Sequence, residues 1–150
     1  MHKVSREILT PHLDIACGEG LLKAEDRAVF GVDIKNFGGA DFLVRDFSKL
    51  PFREQTFSTV FIVASLNYFD NPAAVIMEAS RILKTGGKLL ITMPSGRLIK
   101  IWHRFRDPYV RRSFIEEEEI RSLTEKAKMI PEKKICFMLK LNNLYVFSKE

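Results

Sequence analysis

Leu13-Asp14-Ile15-Ala16-Cys17-Gly18-Glu19-Gly20, followed by Phe30-Gly31-Val32-Asp33-Ile34, is the stretch on which the reading of this 150-residue chain turns. Two short apolar runs each end in an acid, and a glycine turn follows the first. Without side chains, Gly18 and Gly20 let the backbone turn tightly and a ligand approach the main chain. Asp33, at the tip of the second run, is placed to accept hydrogen bonds from both hydroxyls of a ribose. The two runs together predict a nucleoside-binding crevice. A dinucleotide fingerprint needs Gly-x-Gly-x-x-Gly, but those positions hold Ala16, Gly18 and Leu21, so the pyrophosphate-binding pattern fails.

Outward from this stretch, apolar runs bounded by turn residues alternate with helical patterns, which argues for a parallel sheet covered by helices. Strands are expected near His12 to Ala16, Ala28 to Asp33, Asp41 to Arg45, Thr59 to Ala64, Lys88 to Met93, Lys134 to Lys140 and Leu144 to Ser148. The best-marked helix runs from Pro72 to Thr85, with Asn71 as cap, Pro72 at the first helical position, and Gly86-Gly87 ending it in the left-handed conformation. A second helix is expected over Phe114 to Lys128. Ser113 and Glu116 stand there at capping-box spacing, and glutamates fill the positive first turn as a solvated face.

The composition, 46% hydrophobic and 29% charged, is that of one ordinary globular domain spanning residues 1–150. The longest apolar run, around Val60 to Leu66, is far too short for a bilayer. The opening Met1-His2-Lys3 leads into no apolar signal region, so a cytoplasmic location is expected. Cys17 and Cys136 are isolated and read as reduced packing residues, and with three histidines they give no metal-ligand spacing.

Asp14-x-Ala16-x-Gly18-x-Gly20 resembles the Asp-x-Gly-x-Gly-x-Gly pattern of the class I S-adenosylmethionine-dependent methyltransferases, with Ala16 in place of the first glycine. The resemblance extends to the end of the chain. Asp46-Phe47 with Leu50-Pro51-Phe52 looks like the family's loop after the third strand, Phe57 to Pro72 like its fourth strand and exit loop, and Ile82 to Lys88 like the turn before the fifth. The closing Leu144 to Ser148 resembles the last strand of the family's hairpin. The resemblance implies an α/β, Rossmann-like three-layer sandwich: a seven-stranded, mostly parallel sheet ending in an antiparallel hairpin. It also implies S-adenosylmethionine as cofactor, S-adenosylhomocysteine as product, and no metal.

Spacing shows where the chain departs from its relatives. Only Ile34 to Ala40 separate the second and third strands, whereas a helical crossover needs about a dozen residues. The helix after the second strand should therefore be missing, and the one after the first reduced to one or two turns. The adenine edge of the crevice should be unusually exposed or covered by another chain, which leaves a homo-oligomer open.

The family roles, carried onto matching positions, put the methionine end of the cofactor on Asp14, Ala16, Gly18, Glu19 and Gly20. They put the ribose on Asp33, the adenine on Ile34, Asp46 and Phe47, and Ala64 beside the cofactor at the end of the fourth strand. A sulfonium methyl is already activated, so the protein chiefly aligns it with the nucleophile and excludes water. Asn67 and Tyr68, in the exit loop of the fourth strand, are candidates for substrate binding and catalysis, and His103 is a candidate proton acceptor.

Arg97 to Arg112 carries six Lys and Arg residues against Asp107 alone, a local excess that equals the formal +5 of the whole chain. Leu98, Ile101, Trp102 and Phe105 make its first part a basic amphipathic helix. With Trp102, Arg106, Tyr109 and Arg111 as substrate contacts, it would recruit an anionic acceptor: nucleic acid, an anionic membrane surface or an acidic metabolite. The expected function is transfer of a methyl group to an oxygen or nitrogen of such an acceptor. The alternatives are a non-catalytic cofactor-binding partner subunit, or a basic nucleic-acid-binding module on a degenerate version of the fold.

Overall fold

A computed structural model describes residues 11–96 and 115–150. The basic segment at 97–112, with Trp102, His103, Arg106, Tyr109 and Arg111, lies outside the described residues, as does Ser113. The chain forms β1 (His12–Ile15), α1 (Leu21–Glu25), β2 (Val29–Asp33), β3 (Phe42–Leu43), β4 (Phe57–Val63), α2 (Pro72–Ile82), β5 (Leu83–Pro94), α3 (Glu117–Lys126), β6 (Met129–Phe137) and β7 (Asn142–Lys149). Leu66–Tyr68 form a 3-10 turn after β4.

Seven strands make one sheet in the order β3-β2-β1-β4-β5-β7-β6, with β7 antiparallel to both neighbours. Register places Leu13 and Ile15 beside Val60 and Ile62, and these beside Leu89 and Ile91. In a parallel sheet such partners share a face, and all six are fully buried. This layer joins Val75, Ile76, Ala79 and Ile82 of α2 and Ile120 of α3 in one core. The Ser80 hydroxyl donates to Ala127 O at 2.9 Å and ties α2 to the end of α3. Strand order runs outward from β1 through β2 to β3, and in the other direction through β4. A crevice therefore opens at the carboxyl ends of β1 and β4.

The two short links carry as little helix as their lengths allow. α1 has five residues, and Lys35 to Ala40 contain no helix. Instead this short link folds back on the glycine turn, Gly39 N–H donating to Gly18 O at 3.2 Å.

Four expectations need correction. Asn71 does cap α2, accepting from Ala74 N–H at 3.1 Å, but the helix stops at Ile82 and not at Thr85. Leu83 is already extended and pairs with Phe57, so sheet pairing takes the chain before the glycines are reached. Gly86 is left-handed (φ 75°), but it lies in the irregularity between the Phe57–Leu83 and Thr59–Lys88 pairs.

The second helix is shorter than Phe114 to Lys128, and Glu116 makes no side-chain cap. β6 runs Met129–Phe137, not Lys134 to Lys140, because Met138, Leu139 and Lys140 are all left-handed and make the hairpin turn. Cys136 is exposed, its thiol 3.2 Å from Asn143 Oδ1, so it is not a packing residue.

Candidate functional site

The acids at the tips of β1 and β2 are both buried, and they are solvated by the protein in opposite ways. Asp33 Oδ2 accepts from Gly18 N–H at 2.9 Å, and Oδ1 accepts from Ile34 N–H at 2.7 Å and Lys35 N–H at 3.3 Å. These three backbone donors fix the glycine turn to β2. Asp14 is only 4% exposed, and its Oδ1 has no hydrogen-bond partner. Burial, reinforced by the charge of Asp33, pushes Asp14 up to about 7.

The two turn glycines serve different needs. A Cβ on Gly18 would meet nothing within 4 Å, so the space beside it is open to a ligand. A Cβ on Gly20 would come 2.8 Å from Gly39 Cα, so Gly20 is small because the folded-back link lies against it. Gly39 is constrained from the other side, since its Cβ would lie 2.2 Å from Gly20 N. Ala16, at the first glycine position, is left-handed (φ 60°) and carries the strain a glycine would avoid.

The remaining sequence-predicted residues fall around the same ends of the strands. Glu19 and Ile34 are exposed on either side of the turn. Asp46 is exposed and accepts from the Ser48 amide and hydroxyl, which together hold its carboxyl below the usual range. Phe47 is half-buried, one side of its ring packed against Phe69 with centroids 5.1 Å apart. Ala64 follows β4 in the left-handed region (φ 50°), its N–H held by Thr92 O at 3.1 Å and Thr92 Oγ1 at 3.0 Å. Asn67 is half-buried, and Tyr68 is 67% exposed at the rim.

Sequence reading missed Ser65 and Ser95. Both side-chain oxygens are buried without a partner, Ser65 two residues after β4 and Ser95 one residue after β5. Native proteins pair nearly all buried polar atoms. Asp14, Ser65 and Ser95 therefore leave three unsatisfied groups at the carboxyl ends of β1, β4 and β5, where a polar ligand would complete them. No pattern in a lone serine signals this; only the strand topology brings them to one end of the sheet. Gly39 was missed for the same reason, since its constraint comes from a turn nineteen positions earlier. Among the described residues, no three His, Cys, Asp or Glu side chains gather as metal ligands.

This sheet order, with a glycine turn and two buried acids at the strand ends, defines the class I S-adenosylmethionine-dependent methyltransferase fold. The chain belongs to the methyltransferase-domain family, whose model matches residues 13–91. An uncharacterized protein of Methanocaldococcus jannaschii is 26% identical over 135 residues, covering 85% of this chain and 61% of that protein. A demethylmenaquinone methyltransferase of Paenarthrobacter aurescens is 27% identical over 115 residues, 67% of this chain and 45% of that protein. The chain thus spans less than two thirds of these curated relatives.

Among solved structures, a chain from the complex between the Haloferax volcanii Trm112 methyltransferase activator and its methyltransferase superposes with a TM-score of 0.78 at 16% identity. The match covers 93% of this chain and 82% of that one. The geranyl diphosphate C-methyltransferase of Streptomyces coelicolor, solved with S-adenosyl-L-homocysteine, superposes with a TM-score of 0.72 at 16% identity, covering 94% of this chain and 71% of that one.

Proposed function

We propose that this chain binds S-adenosylmethionine at the carboxyl ends of β1, β2 and β4 and transfers its methyl group to an oxygen or nitrogen of an anionic acceptor. The observation that carries the reading is the set of unsatisfied polar atoms on Asp14, Ser65 and Ser95 at the carboxyl-end side of the sheet, the side on which the glycine turn leaves open space at Gly18. The cofactor fits that donor set, since its amino, carboxylate and ribose hydroxyl groups are what such atoms lack. When bound it supplies the activated methyl. The chain's own residues would position it: the turn and Asp14 the methionine end, Asp33 the ribose through the one lone pair left on Oδ2, and Ile34 with Asp46 and Phe47 the base.

Asn67 and Tyr68 would face the acceptor, and the anionic character of the acceptor rests on the basic sequence at 97–112. A cytoplasmic location belongs to the same reading, consistent with the free thiols of Cys17 and Cys136. Calorimetry with S-adenosylhomocysteine tests the site. Wild type should bind and Gly18→Val should not, because the new side chain fills the open space. A folded Gly18→Val protein with normal affinity overturns the assignment.

A second reading, a chain that works only with a protein partner, is favoured by the β2–β3 edge. Ile34, Phe37 (55%), Phe42 and Leu43 (60%) are exposed there, where the missing helix leaves the sheet uncovered. Such an apolar edge suits a partner's surface. Methyl transfer that appears only after a second protein is added would establish this reading.

A further inference from the structure

We infer that Asp14 trades its proton for the cofactor's α-ammonium: on the acid side of neutrality its carboxyl is neutral in the free protein, and it becomes the counter-ion of that ammonium when the methionine end binds, releasing its proton to solvent. This rests on the cofactor reading above and adds to it a pH-dependent affinity.

The geometry sets up the exchange. Asp14 is 4% exposed, and its Oδ1 has neither a donor nor water access. Three backbone N–H donors at this end of the sheet go to the neighbouring Asp33, and none goes to Asp14 Oδ1. The charge of Asp33 stands beside Asp14 and opposes a second one.

Among the described residues, the following groups on its neighbouring elements offer no relief. Across the sheet its register partners are Gly31 of β2 and Phe61 of β4, neither of them ionisable. In the turn above, burial first, then Asp14 and Asp33, push the Cys17 thiol up to about 11, so it is neutral. Lys23 of α1 is engaged with Asp41. His12, on the same strand face, lies with Nδ1 3.2 Å from Ser58 Oγ. An arriving ammonium would thus be the missing cation, and a buried carboxylate paired with it is stable where a lone one is not.

Proton balance follows. Below neutral pH the free protein must shed the Asp14 proton to bind, so affinity should fall as pH falls. Calorimetry with S-adenosylhomocysteine, run in two buffers of different ionisation enthalpy, reads both quantities. Wild type should release about half a proton per ligand at pH 7, and its Kd should rise about tenfold from pH 8 to pH 6. Asp14→Asn should bind with a pH-independent Kd over that range, which also subtracts any titration of the ligand itself.

Carboxyl carbon-13 resonances give a second readout if the variant does not fold. Asp14 should titrate near pH 7 in the free protein and stay ionised from pH 6 to 8 with the ligand bound. A measurable Kd that is flat from pH 6 to 8 with no proton release, or an Asp14 already ionised at pH 6 without ligand, overturns this inference and leaves the cofactor site standing. No binding at any pH overturns both.

Discussion

The backbone N–H of Gly18 donates to Asp33 Oδ2 at 2.9 Å, so the glycine turn after β1 is fastened to the acid at the tip of β2. With Ile34 and Lys35 also donating to it, Asp33 organises the crevice before any ligand arrives. Asp33→Ala should therefore lose stability as well as affinity. Leaving these amides without an acceptor is expected to cost about 1–3 kcal/mol in chemical unfolding. S-adenosylhomocysteine binding should weaken in parallel. An Asp33→Ala protein of wild-type stability would show that the turn stands without it.

Gly18 and Gly39 separate ligand approach from packing. Gly39→Ala would drive a Cβ to within 2.2 Å of Gly20 N, backbone against backbone, and should destabilise the fold by roughly 1–3 kcal/mol. Gly18→Ala meets no atom within 4 Å and pays only for its left-handed φ of 55°, roughly 1–2 kcal/mol. If Gly18 faces the ligand, its alanine variant loses far more affinity than stability; equal losses would make Gly18 a purely conformational residue.

Ala16 offers the reverse case. Its φ of 60° is one that glycine adopts freely, so Ala16→Gly should relieve strain. The unfolded chain gains freedom in exchange, and the net stabilisation should be at most about 1 kcal/mol. A shift of the urea midpoint to lower concentration would show that the Ala16 methyl contributes packing that outweighs the strain.

Two buried acids should tilt stability in opposite directions with pH. Burial opposes charge on Glu78, but hydrogen bonds from Arg81 and the Leu50 N–H outweigh it and hold its carboxyl below the usual 4.5. A depressed folded value means stability present above the unfolded value and lost as pH falls through the folded one. Asp14 is raised from 3.8 to about 7, so the unfolded chain ionises first and stability declines as pH rises across that interval. Asp14→Asn should therefore be more stable than wild type at pH 8, by roughly 2–4 kcal/mol, and nearly equal to it at pH 4. Glu78→Gln should be less stable than wild type at pH 7 and converge with it in acid. Thermal unfolding from pH 3 to 8 checks both, and an Asp14→Asn protein no more stable at pH 8 would place Asp14 in a solvated setting.

The sheet was legible because period and loop length are local. Apolar runs mark the strands, and six residues from Lys35 to Ala40 cannot hold a crossover helix, whatever else they do. The end of α2 was not legible, because Leu83 leaves the helix to pair with Phe57, a partner twenty-six positions away. The hairpin turn was hidden for a different reason: Met138, Leu139 and Lys140 carry no glycine signal, yet all three are left-handed, and Leu139 is 94% exposed. In the site, the acids and glycines showed themselves by pattern, but not that one acid is satisfied and the other is not. That difference depends on where three N–H groups point.

Ser65 and Ser95 yield the sharpest separation of function from stability. Each hides a hydroxyl oxygen with no partner, a state that normally costs free energy. Replacing such a group by alanine removes the unsatisfied atom along with a few contacts. Ser65→Ala and Ser95→Ala should therefore unfold within about 0.5 kcal/mol of wild type, or slightly later. If these hydroxyls await a ligand, the same variants lose cofactor or acceptor binding, measured as the Kd for S-adenosylhomocysteine and the rate of methyl transfer. A purely structural serine gives the opposite pairing, with stability reduced and binding per folded molecule unchanged. That outcome would remove both serines from the site.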